Sequence, residues 1–393
     1  MNDKESLPPA TLALRGAEVP PFYAGHIGRQ AGEMRRAGRT IIPMHFRQPT
    51  AGTPPRALAA AAATLALDPT GYFESHELIA RIARHYHDSY GVQVAPERIL
   101  LTSGASAGLV ATFAALFAVG DRIGVCRPGY PAYRNALRAL GRVPVEIDCG
   151  VEANYRLDAS MLAAIDPPLE GLVVASPANP TGAMLNRAQL TRLAAECRTR
   201  GIRIVSDEIY HGISFGEPAV TALEIDPDAI VINSFSKLYR MPGWRLGWLV
   251  APVAIAARLS AYVVNFFLTP STLSQHAALA AFDDQADLAA VVASYGVNRE
   301  LLLRALPQFG LRGIAPPDGA FYIYADVGHL TRDSLAFCKK LLAETGIATA
   351  PGIDFDPLRG QRCLRLSFAV TTPEVERAIG LLGPWFKSQA LIA

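Results

Sequence analysis

Seven short β-forming runs recur along the middle of the chain, and most are apolar without a break. They are Ile99–Ser103, Arg122–Arg127, Val143–Ile147, Leu172–Ser176, Ile202–Asp207, Ile230–Ser234 and Leu246–Ala251. A strand that is apolar on both faces must be covered on both faces, which is the situation of a parallel sheet between helical layers. The stretches between the runs supply such layers. In Arg187–Arg200, residues Leu190, Leu193, Ala194 and Cys197 share one helical face, and Gly201 follows as a C-cap. This alternation predicts an α/β fold, a mostly parallel seven-stranded sheet wrapped by helices, over residues 54–290.

The ends of the chain read differently. Residues 1–53 hold no strand series. From residue 291 a long helix (Ala293–Leu306) leads to Ala320-Phe321-Tyr322-Ile323-Tyr324, a helix near Ser334–Thr345, and Arg362–Ser367. Segments 1–53 and 291–393 are expected to build together a smaller α+β domain with a few antiparallel strands. A chain of 393 residues is long for one core, which agrees with two domains.

Bulk properties exclude several roles. A net charge of +2 gives no case for nucleic acid. The longest apolar segment, Ala105 to Val119, is too short and too alanine-rich for a membrane span and suits a buried core helix. The start, Met1-Asn2-Asp3-Lys4-Glu5-Ser6, has neither the basic cap nor the apolar stretch of a secretory signal. Five scattered cysteines without a Cys-x-x-Cys pair argue against a disulfide framework or a zinc site and point to a reducing compartment, the cytoplasm. No metal is expected. His85 and His87 would point apart on a helix, so that pair is read as a solvated face, and His211 and His276 as structural.

Chemistry concentrates where strands end. Ser234-Phe235-Ser236-Lys237 is followed by Gly243-Trp244-Arg245-Leu246-Gly247. A lysine amine can hold an aldehyde as a Schiff base, and a nearby arginine can hold a phosphate. Pyridoxal 5′-phosphate carries both groups. Asp207 ends a buried run, where a carboxylate needs a partner, and a protonated pyridine nitrogen is a fitting one. Asn179, in Ser176-Pro177-Ala178-Asn179-Pro180-Thr181-Gly182, and Tyr210, in Ser206-Asp207-Glu208-Ile209-Tyr210, can both bond a phenolic oxygen on such a ring.

Gly104-Ala105-Ser106-Ala107-Gly108 admits two readings. It fits the nucleophile elbow of a serine hydrolase, and it fits a glycine-rich turn whose amides cradle a phosphate. The elbow lacks its upstream strands, its oxyanion loop and a histidine at a strand end. Ser234-x-x-Lys237 also matches the S-x-x-K of penicillin-binding enzymes, but no Lys-Thr-Gly accompanies it.

Taken in order, Asn179, Asp207, Tyr210, Lys237 and Arg245 make the chain resemble the class I/II aminotransferases, fold-type I enzymes that use pyridoxal phosphate, from about Gly38 to Phe368. The resemblance implies that Lys237 is the Schiff-base lysine and proton carrier, with Asp207 on the ring nitrogen and Asn179 and Tyr210 on the ring oxygen. It implies that Ala105, Ser106, Ser234, Ser236 and Arg245 meet the phosphate and that Tyr130 stacks on the ring. Arg365 would grip the substrate α-carboxylate. Tyr72 would reach the phosphate of a neighbouring subunit, making the active site a property of a homodimer. One departure stands out: Met44-His45-Phe46-Arg47-Gln48-Pro49 carries Arg47 where the family has glycine, so Arg47 is expected to influence substrate choice. The reaction implied is amino transfer between an L-amino acid and a 2-oxo acid by a ping-pong route. β-Elimination, decarboxylation or oxidation at the same cofactor is the alternative. A non-enzymatic regulator would need a DNA-binding segment that is not seen here.

Overall fold

The computed structural model describes residues 19–46, 48–67 and 70–391. Its strands are β1 (Ile42–Pro43), β2 (Ile99–Thr102), β3 (Arg122–Arg127), β4 (Val143–Asp148), β5 (Gly171–Ala175), β6 (Arg203–Asp207), β7 (Ile230–Ser234), β8 (Gly247–Val250), β9 (Tyr322–Asp326), β10 (Ile347–Ala348), β11 (Ala350–Pro351) and β12 (Cys363–Ser367). Seven of them form one sheet in the order β2-β8-β7-β6-β5-β3-β4. The pairs among β3 to β7 are parallel, and β8 runs antiparallel to both β2 and β7. The fold is therefore α/β with a mostly parallel sheet.

Burial explains the uninterrupted apolar runs. All of β7 and β8 is buried, and so is nearly all of β5 and β6. Successive residues feed opposite layers, as a pleat requires. Leu172, Val174, Ile204, Val231, Trp248 and Val250 join one core with Leu190 and Leu193 of the helix Arg187–Arg200. Val173, Val205, Ile230, Ile232 and Leu249 join the other, with Leu109 and Phe113 of the helix Ala105–Leu116. That helix is buried on nearly every side, in keeping with its apolar composition.

A third core lies under an antiparallel sheet of order β11-β12-β9. The N-terminal segment belongs to this part. β1 pairs in parallel with β10, and the amides of Tyr23 and Ala24, opening the helix Tyr23–Arg36, donate to the Asp354 carboxylate at 2.8 Å. Ile27, Ala31 and Met44 pack into the same core as Tyr322, Leu341 and Leu366. The helix expected from Ala293 begins earlier and spans Gln285–Ala305. Its first two turns are dominated by alanine and valine, which mark no face.

Candidate active site

The C-terminal ends of β2, β5, β6 and β7 meet the start of β8 at one edge of the large sheet. Register fixes this row: Gly247 faces both Thr102 and Ser234, and Asp207 faces both Ala175 and Ile232. Loops at such an edge are where open α/β sheets place ligands. A cavity of about 630 Å³ opens there. Its wall includes Ala105, Ser106, Tyr130, Asn179, Asp207, Tyr210, Ser234, Ser236, Lys237 and Arg245, so one space gathers candidate residues from five separate stretches of sequence.

One side of the cavity is rich in donors. The Ser234 and Ser236 hydroxyls are 2.8 Å apart. The helix Ala105–Leu116 starts beside them, and its first amides have no acceptor within the helix. The Arg245 guanidinium donates to the Pro242 carbonyl at 3.0 Å and the Ser103 carbonyl at 3.3 Å. Gly104 makes that approach possible: with φ +79° and ψ 169° it holds a backbone shape nearly reserved for glycine, and a Cβ there would overlap the guanidinium. Hydroxyls, amides and a planar cation together suit a compact dianion such as a phosphate monoester.

Asp207 lies deeper. Its Oδ2 accepts from the Tyr133 hydroxyl at 2.6 Å, and Oδ1 accepts from the Ile209 amide at 3.2 Å. Burial pushes its carboxyl up to about 6, while the two donors and the charge of Lys237 act the other way. Tyr133 escaped the sequence reading. The available signal was its position three residues after Tyr130 on the helix Pro131–Ala139, which turns both rings toward one side. The Lys237 amine stands 5.6 Å from the centre of the Tyr210 ring. The Tyr210 and Tyr322 hydroxyls share a hydrogen bond of 2.6 Å.

Arg365 stands behind this wall, fully buried on β12. Its Nη1 donates to Asn179 Oδ1 at 2.8 Å and its Nη2 to the His45 carbonyl at 2.8 Å. The rings of Tyr322 and Phe355 flank the guanidinium at 4.3 and 4.8 Å. His45, Phe46 and Gln48 from the N-terminal segment, with Gly25 and Gly28 of the helix Tyr23–Arg36, close the cavity on the side away from the sheet. Gly25 and Gly28 had no sequence signal, and His45, Phe46 and Gln48 had none beyond their nearness to the departure at Arg47, which itself lies outside the described residues.

Two expectations fall elsewhere. Tyr72 is 83% exposed and takes no part in this cavity wall. His85 is not on a solvated face: it packs 5.7 Å from Phe282 and 6.4 Å from Trp248, ring centre to ring centre, and burial lowers its pKa to about 4. Its helix lies against a sheet strand far away in sequence, which spacing alone does not reveal. His211 is structural, bonded to the Tyr90 hydroxyl at 2.9 Å and the Ser176 carbonyl at 3.0 Å.

Comparison with known proteins agrees with this geometry. The sequence profile described as "Aminotransferase class I and II" matches residues 44–382. A valine–pyruvate aminotransferase from Mycobacterium tuberculosis is 46% identical over 96% of this chain and 99% of its own length. A crystal structure of an aminotransferase from Mycobacterium tuberculosis superposes with TM-score 0.93 at 45% identity, covering 97% of this chain and 100% of that one. Aspartate aminotransferase from Thermus thermophilus, solved with maleate, superposes with TM-score 0.88 at 29% identity over 95% and 99% of the two chains. Profile, relatives and strand-end constellation converge: this chain belongs to the class I and II aminotransferases.

Proposed function

We propose that the cavity at the sheet edge holds pyridoxal 5′-phosphate and that the enzyme there passes an amino group between an L-amino acid and a 2-oxo acid in two half-reactions. One observation carries this reading: Asn179, Asp207, Tyr210, Lys237 and Arg245, from separate strand ends, line a single space of about 630 Å³. The donor set fits the cofactor group by group. Ser106, Ser234, Ser236, Arg245 and the helix amides beginning at Ala105 would hold the phosphate, and Gly104 leaves the room this needs. Tyr130 would lie on the ring face, Asp207 would meet the ring nitrogen, and Asn179 and Tyr210 the ring oxygen.

When bound, the cofactor supplies an aldehyde for the amino group and a ring that accepts carbanion charge. The rest falls to the chain. Lys237 would give the covalent anchor, and its free amine would move the proton at the substrate α-carbon. Asp207, kept from water, holds the proton on the ring nitrogen as a charge pair. Arg365 offers its planar fork to the α-carboxylate, with Asn179 and the His45 carbonyl fixing its plane. The aromatic faces on Arg365 keep solvent from that pair. Arg47, between the cavity residues Phe46 and Gln48, is our sequence-based candidate for tuning substrate choice.

We further propose a cytoplasmic homodimer with shared sites, in which Tyr72 reaches the partner's phosphate. Exposed apolar side chains support this: Leu65, Leu67, Tyr72, Phe266 and Leu268. The five cysteines form no disulfide, in keeping with a reducing compartment. Among the described residues, no helix is long and apolar enough to cross a membrane. Residues 54–290, and 1–53 with 291–393, are proposed as two bodies whose closure shuts out water, since the N-terminal segment is tied to Asp354 and β10.

The test is chemical. Borohydride reduction of the loaded enzyme followed by peptide mass mapping is expected to place a pyridoxyl group on the Lys237 peptide, and a screen of amino donors against pyruvate, oxaloacetate and 2-oxoglutarate is expected to find turnover. An unmodified Lys237 peptide would overturn the reading.

A further inference from the structure

One side chain in the cavity wall has no part in the steps above. His45 is only 4% exposed and borders the cavity. Neither of its ring nitrogens has a hydrogen-bond partner among the described residues. Leaving a buried polar ring unpaired is costly, so such groups call for a partner.

The ring has little freedom to find one within the chain. The His45 carbonyl is held by Arg365 at 2.8 Å, and the Met44 carbonyl accepts from the Ser367 amide at 2.7 Å. Phe46 packs on the ring with centres 4.1 Å apart. On the other side stands Gly28, where a Cβ would come within 3.0 Å of Nε2, so glycine there lets the imidazole approach the helix. Burial, then Arg365 and Arg35, lower its pKa to about 4. The ring is thus neutral near neutral pH, with one N–H donor and one acceptor.

The charge in the wall says what that partner is. Among the described residues Asp207 is the one acid that lines the cavity, and it is assigned to the ring nitrogen. Arg245 is assigned to the phosphate and Arg365 to the α-carboxylate. Arg29, one residue beyond Gly28 on the same helix, also lines the cavity and has neither role. A cation and a neutral N–H donor beside the substrate space match a second carboxylate. Resting on the cofactor and amino-transfer reading above, we propose that His45 and Arg29 recognise the side-chain carboxylate of one of the two substrates, an amino dicarboxylic acid or its 2-oxo counterpart. A ping-pong enzyme takes both substrates in one site, so an apolar partner substrate would use the same space without engaging these two groups.

The experiment is a half-reaction assay on the loaded enzyme, following the cofactor absorbance with glutamate, aspartate, alanine and valine as donors. For the better of the two dicarboxylic donors, His45→Phe, which keeps size and packing, is expected to lower its kcat/KM relative to that of alanine by about 10- to 100-fold. His45→Gln, which restores a donor, is expected to recover part of this ratio. The exposed Arg29→Gln is expected to lower the same ratio and carries the test alone should the His45 variants not fold. As an independent readout, spectral titration is expected to show the parent binding succinate more tightly than butyrate, and His45→Phe binding the two alike. An unchanged donor ratio in all variants, or a parent indifferent between succinate and butyrate, overturns the inference. If Lys237 still carries the cofactor and alanine still turns over, that failure leaves the proposed function standing. An absent Lys237 adduct would sink both.

Discussion

Replacing Tyr133 by phenylalanine removes one hydroxyl and tests how Asp207 is kept ready for its partner. That hydroxyl donates to Asp207 Oδ2 at 2.6 Å, and both side chains are buried. A hydrogen bond to a charged group is worth about 1.5–3 kcal/mol, which is about one to two pKa units. Burial already pushes the Asp207 carboxyl up to about 6. The variant is therefore expected to titrate at about 7 to 8, and more of the cofactor-free protein is protonated at any given pH below that. Only ionised Asp207 can pair with a protonated ring nitrogen. Affinity of the apoprotein for pyridoxal phosphate thus falls off at a higher pH in the variant. At about pH 6.5 its Kd is expected to be about 3- to 25-fold weaker than the parent's, and at about pH 9 nearly equal. Fluorescence or absorbance titration of both apoproteins across that range measures this, and the ligand's own ionisations cancel in the ratio. A uniform loss at every pH would mean that Tyr133 merely packs. An unchanged Kd throughout would mean that the bond does not bear on Asp207 at all.

Three further changes have defined outcomes. Gly104→Ala forces a side chain into a glycine-only conformation and into the Arg245 guanidinium; a stability loss of about 1–3 kcal/mol in denaturant unfolding, with at least about tenfold weaker cofactor binding, is expected, and parent-like values in both would refute the cradle. Arg365→Lys keeps the charge but loses the fork shared between Asn179 and the His45 carbonyl; steady-state kinetics are expected to show KM for amino donors raised about 10- to 100-fold. Burial pushes the Glu208 carboxyl up to about 7 from 4.5, so the folded state keeps a proton that the unfolded chain has released, and the resulting stability is complete below about pH 4.5 and lost as pH rises through about 7. Glu208→Gln is therefore expected to raise Tm relative to the parent more at about pH 8 than at about pH 5, and an equal difference at both would count against it.

The large sheet was legible because its strands are apolar throughout, a property each strand carries locally. Arg122–Arg127 and Ile230–Ser234 coincide with β3 and β7 from end to end. β5 begins at Gly171 instead of Leu172, since a strand end is set by its ladder partners, here Arg203 and Ile123, which a single run does not contain. The residues that line the cavity were legible where they sit at the end of such a strand or just beyond it, as Asp207 ends β6 and Lys237 follows β7. Tyr133, His45 and Arg29 were not. Tyr133 matters only beside Asp207, 74 residues later, and His45 only beside Arg365 and Gly28. The packing of His85 on Trp248 and Phe282 was hidden for the same reason.

The reversed direction of β8 has a wider effect. Had it run with its neighbours, the chain would have needed a crossover of a dozen or more residues, and Arg245 would have entered from the far rim. Because it turns back, Lys237 and Arg245 are delivered by one short link, eight positions apart, with Gly247 seated between Thr102 and Ser234. The covalent tether and the anionic clamp are thus a single mechanical part. Lengthening that link would slacken both at once, whereas an insertion after β5 would disturb neither.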